Sequence, residues 1–371
     1  MKAVVLVGGE GTRLRPLTYT TPKPLLPIVN VPFLVRQLEW LARHGVDEVV
    51  LSLGYLPDAF EAAFPDGRCG TVRLRYAVEE QALGTAGAIR FAADGIDEPF
   101  LVCNGDVLTD LDIRAMVEFH QRNGAQATIA LAPVDDPSAF GVVPTTANGQ
   151  VIAFVEKPPP GKAPSTWINA GTYVLEPEFL QRIPPRLKVS IERETFPRLL
   201  EQVPGAVFGY QNDSYWLDIG TPEKYLQAHA DLLAGHLGAV PAPDAHEHEP
   251  GIWVQGDVDL ASDVQVVGPV LLGAGSKVGP GAMLRRAVLG PRTSVGARAV
   301  VDGAVVHEDV VMSDDSVVTR SVLGARARLE AGASVTDASL VGADTTVPAG
   351  TRLAAGRIPV VAAGSNEGSS R

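Results

Sequence analysis

Three glycines and two cations crowd the start of the chain: Gly8-Gly9-Glu10-Gly11-Thr12-Arg13, then Lys23. Without side chains at positions 8, 9 and 11, backbone N–H groups can approach a polyphosphate closely, and Arg13 and Lys23 can supply positive charge to its oxygens. Asn104-Gly105-Asp106 closes a hydrophobic run and offers a carboxylate to a hard cation such as Mg²⁺, which is commonly held by one or two carboxylates plus substrate phosphates. Asp106 could equally be a turn residue ahead of the helix that begins near Asp112. Glu156-Lys157 ends another apolar run, and Pro158 to Pro160 stop it abruptly, although such a pair alone is usually a solvated surface couple.

These groups need elements to aim them. Ala3 to Val7 reads as a buried strand of a parallel sheet emptying into the glycines. A P-loop would require Gly-Lys-Ser/Thr at its end, and the dinucleotide fingerprint a third glycine where Leu14 stands, so both are excluded. Prolines at 16, 22, 24 and 27 keep the following chain extended up to a helix running to about Arg43. Strand-like runs follow at Glu48–Leu53, Val72–Val78, Phe100–Asn104, Ala127–Leu131, Val151–Val155, Thr172–Leu175 and Val207–Tyr210, with helical stretches at Asp112–Arg122, Ile191–Val203 and Pro222–Ala234. This alternation predicts an α/β domain over residues 1–235, a Rossmann-like, mostly parallel sheet with ligands at the carboxyl ends of its strands.

Residues 236–250, rich in proline and histidine, read as a polar linker; His246 and His248 lack the partners of a metal site. Apolar residues then recur at every sixth position: Val254, Leu260, Val266, Leu272, Val278, Leu284; Leu289, Val295, Val301; Val306, Met312, Val318; Leu323, Leu329, Val335; Val341, Val347, Leu353. Three such hexads make one triangular coil, and the pattern predicts a left-handed parallel β-helix over residues 251–358, each coil burying its apolar row against the next. Residues 359–371 have no core to join and are expected to be a disordered tail.

The whole chain has 371 residues, 46% hydrophobic and 20% charged, enough for two domains with sizeable cores. Its 31 Lys plus Arg against 43 Asp plus Glu give a net charge of −12, which argues against a nucleic-acid partner. The apolar start is too brief for a signal peptide and no membrane span is present; with only Cys69 and Cys103, both expected as small core residues, a reducing cytoplasm is the expected compartment.

Taken together, Gly8-Gly-x-Gly-Thr-Arg-Leu-x-Pro-Leu-Thr18 followed by Pro22-Lys-Pro-Leu25 resembles the signature of the sugar-phosphate nucleotidylyltransferases, or NDP-sugar pyrophosphorylases. The resemblance implies that Leu6, Gly8, Gly9, Gly11, Thr12, Arg13 and Lys23 surround the triphosphate and that Arg13 and Lys23 contact phosphates as the α-phosphate is attacked. Tyr215-Trp-Leu-Asp218-Ile-Gly-Thr-Pro222 matches the same family, in which the aspartates corresponding to Asp106 and Asp218 share the Mg²⁺. It further implies that Lys157 grips the sugar phosphate, that Glu156 bonds sugar hydroxyls, and that Gly141, Asn169 and Gly171 line the sugar pocket.

Val78-Glu79-Glu80-Gln81-Ala-Leu83-Gly84-Thr85 looks like the family's base-reading segment. A carboxylate at Glu79 or Glu80 can accept both N–H donors of guanine's Watson–Crick edge, whereas thymine and uracil suit an amide better. Within the family, Leu83-Gly-Thr-Ala-Gly87 and Phe154-Val-Glu-Lys-Pro158 are most similar to the mannose-1-phosphate guanylyltransferases. The expectation is nucleotidyl transfer from GTP to mannose 1-phosphate, giving GDP-sugar and pyrophosphate, by a homo-oligomer assembled through the β-helix. Three rivals stand beside it. They are thymidylyl, uridylyl or adenylyl transfer to glucose 1-phosphate; a noncatalytic, sugar-nucleotide-sensing subunit; and acyl transfer by the β-helix, for which His307 is the only repeat histidine and is expected at the surface.

Overall fold

The computed structural model describes residues 1–238 and 240–359. It contains two compact units, residues 1–10 with 33–219, and residues 11–32 with the chain from Gly220 onward. The segment carrying Gly11, Arg13 and Lys23 therefore groups with the C-terminal part of the chain, as does the helix Pro222–Leu233.

In the first unit the strands Phe100–Asn104, Lys2–Leu6, Glu48–Leu53 and Val72–Val78 run parallel in that spatial order. Trp167–Leu175 continues the sheet antiparallel to Phe100–Asn104. It also pairs with Ala127–Pro133, which is followed by Val207–Gln211 in parallel. Ala3, Val4 and Val5 are wholly inaccessible, as a strand covered on both faces requires. The helix Phe33–Arg43 buries Phe33, Leu34, Gln37, Leu38 and Leu41, an i, i+3/i+4 stripe. Asp112 caps the helix Ile113–Asn123 by accepting from the Ala115 N–H at 3.1 Å, and Gly124 ends it at φ 57°.

The sequence pattern misplaced two elements. The expected strand Val151–Val155 is a strand only at Val155–Glu156; Val151 bridges Thr145 instead, and Phe154 leaves the ladder to stack on Phe196 at 5.8 Å. The expected helix Ile191–Val203 opens with a wide turn over Ile191–Thr195 before regular helix at Phe196–Gln202, where Pro197 in the first turn withholds a backbone donor.

The second unit is built on the hexads. Three parallel sheets stack along it, and every apolar residue of the six-residue pattern lies on a strand. One row runs in register through Val254, Leu272, Leu289, Val306, Leu323 and Val341. Small residues after the row are needed by the close stacking: a Cβ on Gly290 would stand 2.5 Å from Glu308 N, and one on Gly324 2.7 Å from Ala343 N. At the coil corners Arg292, Arg298, Arg320 and Arg326 have positive φ and reach Asp309, Asp315, Asp337 and Asp344 of the next coil. These pairs are exposed, so they mark the corners more than they stabilise them.

The expected linker carries a strand, Ala245–Glu249, antiparallel to Ile252–Gln255 at the edge of the first sheet. His246 and His248 are exposed on it. The tail expected to be disordered lies, from residue 360, outside the described residues.

Candidate active site

Two parallel strands aim the first group of residues. Lys2–Leu6 and Phe100–Asn104 end side by side, with Leu6 opposite Asn104 and the Gly105 N–H donating to the Leu6 carbonyl at 2.9 Å. Gly8 leaves this edge against Gly54, where a Cβ would come 3.2 Å from Gly54 N. Gly9 is different. A Cβ there would meet nothing within 4 Å, so protein packing does not require glycine at that position.

Asp106 follows at the same edge, then enters the short strand Val107–Thr109, which pairs antiparallel with Trp216–Asp218. Asp218 stands opposite Val107, and the Ile219 N–H donates to the Asp106 carbonyl at 2.9 Å. Two carboxylates far apart in sequence are thus brought to one end of a two-stranded ribbon. Asp106 does not cap the downstream helix, since Asp112 does. A pair of hard oxygen donors fits Mg²⁺, which keeps several water or phosphate ligands of its own. Among the described residues no group of three or more His, Cys, Asp or Glu is placed to hold a metal, so such an ion would depend on substrate oxygens as well.

The base-reading candidate is tied down on both oxygens. Ser52 donates to Glu79 Oε1 at 3.0 Å, and the Leu83 N–H donates to Oε2 at 2.8 Å. Glu80 is exposed. Gly84 has φ +68° and lies so close to Val189 that a Cβ would stand 2.6 Å from its carbonyl oxygen. Thr85 accepts the Ile191 N–H at 2.8 Å and donates to Glu192 at 2.7 Å, a locking role that its sequence context did not suggest.

Among the candidates for the sugar phosphate, Gly141 pairs with Glu156, and a Cβ on Gly141 would come 3.0 Å from the Glu156 carboxylate. Lys157, at φ 49°, donates its N–H to Phe140 and holds its ammonium 3.9 Å from Glu156. Arg193 approaches the same carboxylate at 4.0 Å. Nothing in the sequence singled out Arg193, because only the fold brings it there. Asn169 donates to the Tyr173 hydroxyl at 2.8 Å and accepts the Gly171 N–H at 3.0 Å; Gly171, at φ +74°, leaves room for Asn104. Burial raises the Tyr173 hydroxyl pKa well above its usual value, so it stays protonated beneath this wall. Trp216 closes it, donating to the Ala170 carbonyl at 2.9 Å and meeting Phe140 edge-on at 5.5 Å.

The remaining candidates belong to the second unit. Gly11 adopts φ 61°, its carbonyl accepts from the Thr18 hydroxyl at 2.9 Å, and a Cβ there would stand 3.1 Å from the Lys23 Cβ. Thr12, Arg13 and Leu14 form a single turn. The Arg13 guanidinium packs against Gly220, where a Cβ would be 2.8 Å from its Cζ. His307 corrects the sequence expectation of a surface position. It is buried, with its ring against Tyr225 of the helix Pro222–Leu233, which covers the position that the repeat pattern would leave at a coil corner. Of the cysteines, Cys103 is buried, its thiol pushed up to about 12 by desolvation, while Cys69 is only partly covered.

This sheet edge, with its glycine turn and paired acids, is that of a nucleotidyl-transfer fold. The family profile described as Nucleotidyl transferase matches residues 2–235, and the chain belongs to that family. A second profile, GMPPB C-terminal domain, matches residues 266–360. The chain is similar to a mannose-1-phosphate guanylyltransferase of Mycobacterium tuberculosis, 41% identical over 76% of this chain and 77% of that protein. It is also similar to a UTP–glucose-1-phosphate uridylyltransferase of Synechocystis, 35% identical over 76% of each. A crystal structure of HddC from Yersinia pseudotuberculosis matches with TM-score 0.54 at 31% identity, over 62% of this chain and 97% of that one.

Proposed function

We propose that the protein transfers the guanylyl group of GTP to mannose 1-phosphate, giving GDP-mannose and pyrophosphate. The observation that supports this most directly is the pairing that sets Asp106 and Asp218 at one ribbon end beside the Gly8-Gly9 turn. The guanylyltransferase named above shares 41% identity with the chain, and HddC has also been crystallised with GMP-PN.

The chemistry asks little covalent work of the protein. A sugar-phosphate oxygen attacks the α-phosphorus in line, and a phosphate monoester is already ionised at neutral pH, so no general base is needed. Catalysis lies in holding two anions together and countering the charge that develops. Lys157 and Glu156 hold the sugar phosphate, with Asn169 and the backbone at Gly141 and Gly171 along its wall. Arg13 and Lys23 steady the departing pyrophosphate, and Gly9, where a side chain would meet no protein atom, leaves room for the polyphosphate. Asp106 and Asp218 would hold Mg²⁺, which when bound neutralises phosphate charge. Glu79 retains lone pairs beyond those taken by Ser52 and Leu83, enough to accept guanine's two adjacent N–H groups.

A panel of GTP, UTP, dTTP and ATP against mannose 1-phosphate and glucose 1-phosphate, read as pyrophosphate release, tests the proposal. Preference for GTP with mannose 1-phosphate supports it. Preference for UTP with glucose 1-phosphate would replace it with the activity of the Synechocystis relative.

A further inference from the structure

The segment that carries Arg13 and Lys23 belongs to the β-helix unit, and a hydrogen-bonded network ties it there. Just after Lys23 it forms a hairpin, Pro27–Ile28 against Val31–Pro32, turning through Val29 and Asn30 at φ 49° and 60°. Tyr225, on the helix Pro222–Leu233, donates its hydroxyl to the Pro27 carbonyl. One turn along that helix, His229 Nδ1 accepts the Val29 N–H at 3.1 Å. Asn30 donates to the Leu289 carbonyl at 2.9 Å and to Gln255 at 3.0 Å, both on β-helix strands.

The Tyr225 oxygen is 2.9 Å from Nε2 of His307, whose own backbone is held in the coil by its N–H bond to Leu323. Proton inventory fixes the direction of the chain. A carbonyl can only accept and a tyrosine has one hydroxyl hydrogen, so that hydrogen goes to Pro27. His307 therefore carries hydrogen on Nε2 and donates to the tyrosine oxygen. Both side chains are buried, where an unmade hydrogen bond is costly and a made one is stiff.

Little slack separates this anchor from Lys23. Lys23–Leu25 is a single turn closed by the Leu26 N–H to the Lys23 carbonyl at 3.1 Å, and Pro22, Pro24 and Pro27 restrict φ on either side. A displacement at Pro27 is carried to Lys23 instead of being absorbed between them.

We propose that Tyr225 and His307 are positioning residues that fix Lys23 for phosphate chemistry. The proposal rests on the phosphate-binding role given to Lys23 above. The test uses the full-length chain and the variants Tyr225→Phe, His307→Leu and His307→Gln, the last retaining an N–H donor. Amide hydrogen exchange over residues 11–32 is followed by mass spectrometry, alongside kcat and the KM for each substrate.

The expected result is faster exchange at residues 23–31 in Tyr225→Phe and His307→Leu. With it comes a fall in kcat of roughly tenfold to 10²-fold, the scale of a misplaced catalytic group, at an unchanged KM for the sugar phosphate. His307→Gln should recover most of both. Unchanged exchange and kcat in the first two variants would overturn the proposal, as would a loss of kcat in His307→Gln equal to that in His307→Leu. A wild type that releases no pyrophosphate from any NTP would defeat the functional reading alone, because the exchange measurement still reports whether the anchor holds the segment.

Discussion

The backbone N–H of Ile219 donates to the carbonyl of Asp106 at 2.9 Å, and with the ladder of Trp216–Asp218 on Val107–Thr109 this bond brings Asp218 to the same ribbon end as an acid more than a hundred residues earlier in the chain. Neither carboxylate is needed to close the ribbon, since main-chain groups do that. Asp106→Asn and Asp218→Asn should therefore fold with a thermal midpoint close to that of the unaltered protein while losing Mg²⁺-dependent pyrophosphate release. A loss of about 10²-fold or more is expected, corresponding to the several kcal/mol a divalent ion gives to phosphoryl-group chemistry. Calorimetric melting and a coupled pyrophosphate assay on the same preparations check it, and an active Asp106→Asn protein would contradict the metal assignment.

Glu79 shapes the Glu79–Leu83 loop, and under the proposed function it also accepts guanine. Glu79→Gln keeps an acceptor for one loop partner but presents an N–H where guanine needs a lone pair. Hydrogen bonds to a charged group contribute about 1.5–3 kcal/mol, so kcat/KM for GTP should fall by roughly 10- to 10²-fold. UTP should be used no worse than before, since an amide suits a pyrimidine edge. If GTP and UTP decline together, Glu79 is a loop residue only, and base selection rests elsewhere, with exposed Glu80 the next residue to change.

The repeats were legible because periodicity is a property of the chain itself: all eighteen apolar positions named from Val254 to Leu353 fall on strands of the β-helix. Glycine turns and strand-end acids were legible for a related reason, since Gly8 follows the apolar run Ala3 to Val7 and Asp106 follows Phe100 to Cys103 after Asn104-Gly105. What could not be read was partnership across long sequence separations. His307 looks like a corner residue between Val306 and Glu308, and only the approach of Tyr225, 82 residues earlier, makes it a buried donor. Arg193 near Glu156 and Ser52 against Glu79 are invisible for the same reason. The expected boundary near residue 235 follows a change of pattern and coincides with the end of the family match at residues 2–235, while the grouping of residues 11–32 with the C-terminal part of the chain comes from contacts that no local pattern shows.

Gly84 couples the Glu79–Leu83 loop, proposed above to read the base, to the chain at Val189. Its φ of +68° disfavours any Cβ, and the Val189 carbonyl 2.6 Å from that Cβ cannot withdraw cheaply because it accepts the Ala86 N–H at 3.0 Å. Gly84→Ala should cost about 1–3 kcal/mol of stability, the usual range for a residue forced into an unfavourable backbone region. Chemical denaturation measures it through the midpoint at constant slope. Because the loop must shift to relieve the clash, the KM for GTP should rise as well, while the KM for mannose 1-phosphate should stay unchanged.

His307 also gives folding stability a pH dependence of definite sign. Burial lowers its pKa from 6.5 to about 4, so between those values the unfolded chain binds a proton that the folded chain does not. Stability from this group is complete above pH 6.5, declines as the pH falls toward 4, and is lost below it. At 1.4 kcal/mol per unit the whole effect is on the order of 3 kcal/mol. Tyr225, which faces it, does not titrate in this window, since burial raises its pKa well above the ordinary tyrosine value. Denaturant unfolding measured at intervals from pH 7 to 4 should thus show a steeper acid loss in the unaltered protein than in His307→Gln, whose amide has no proton to gain. Parallel curves would mean that the ring of His307 reaches water in solution, and the anchor at Tyr225 would lose its buried donor.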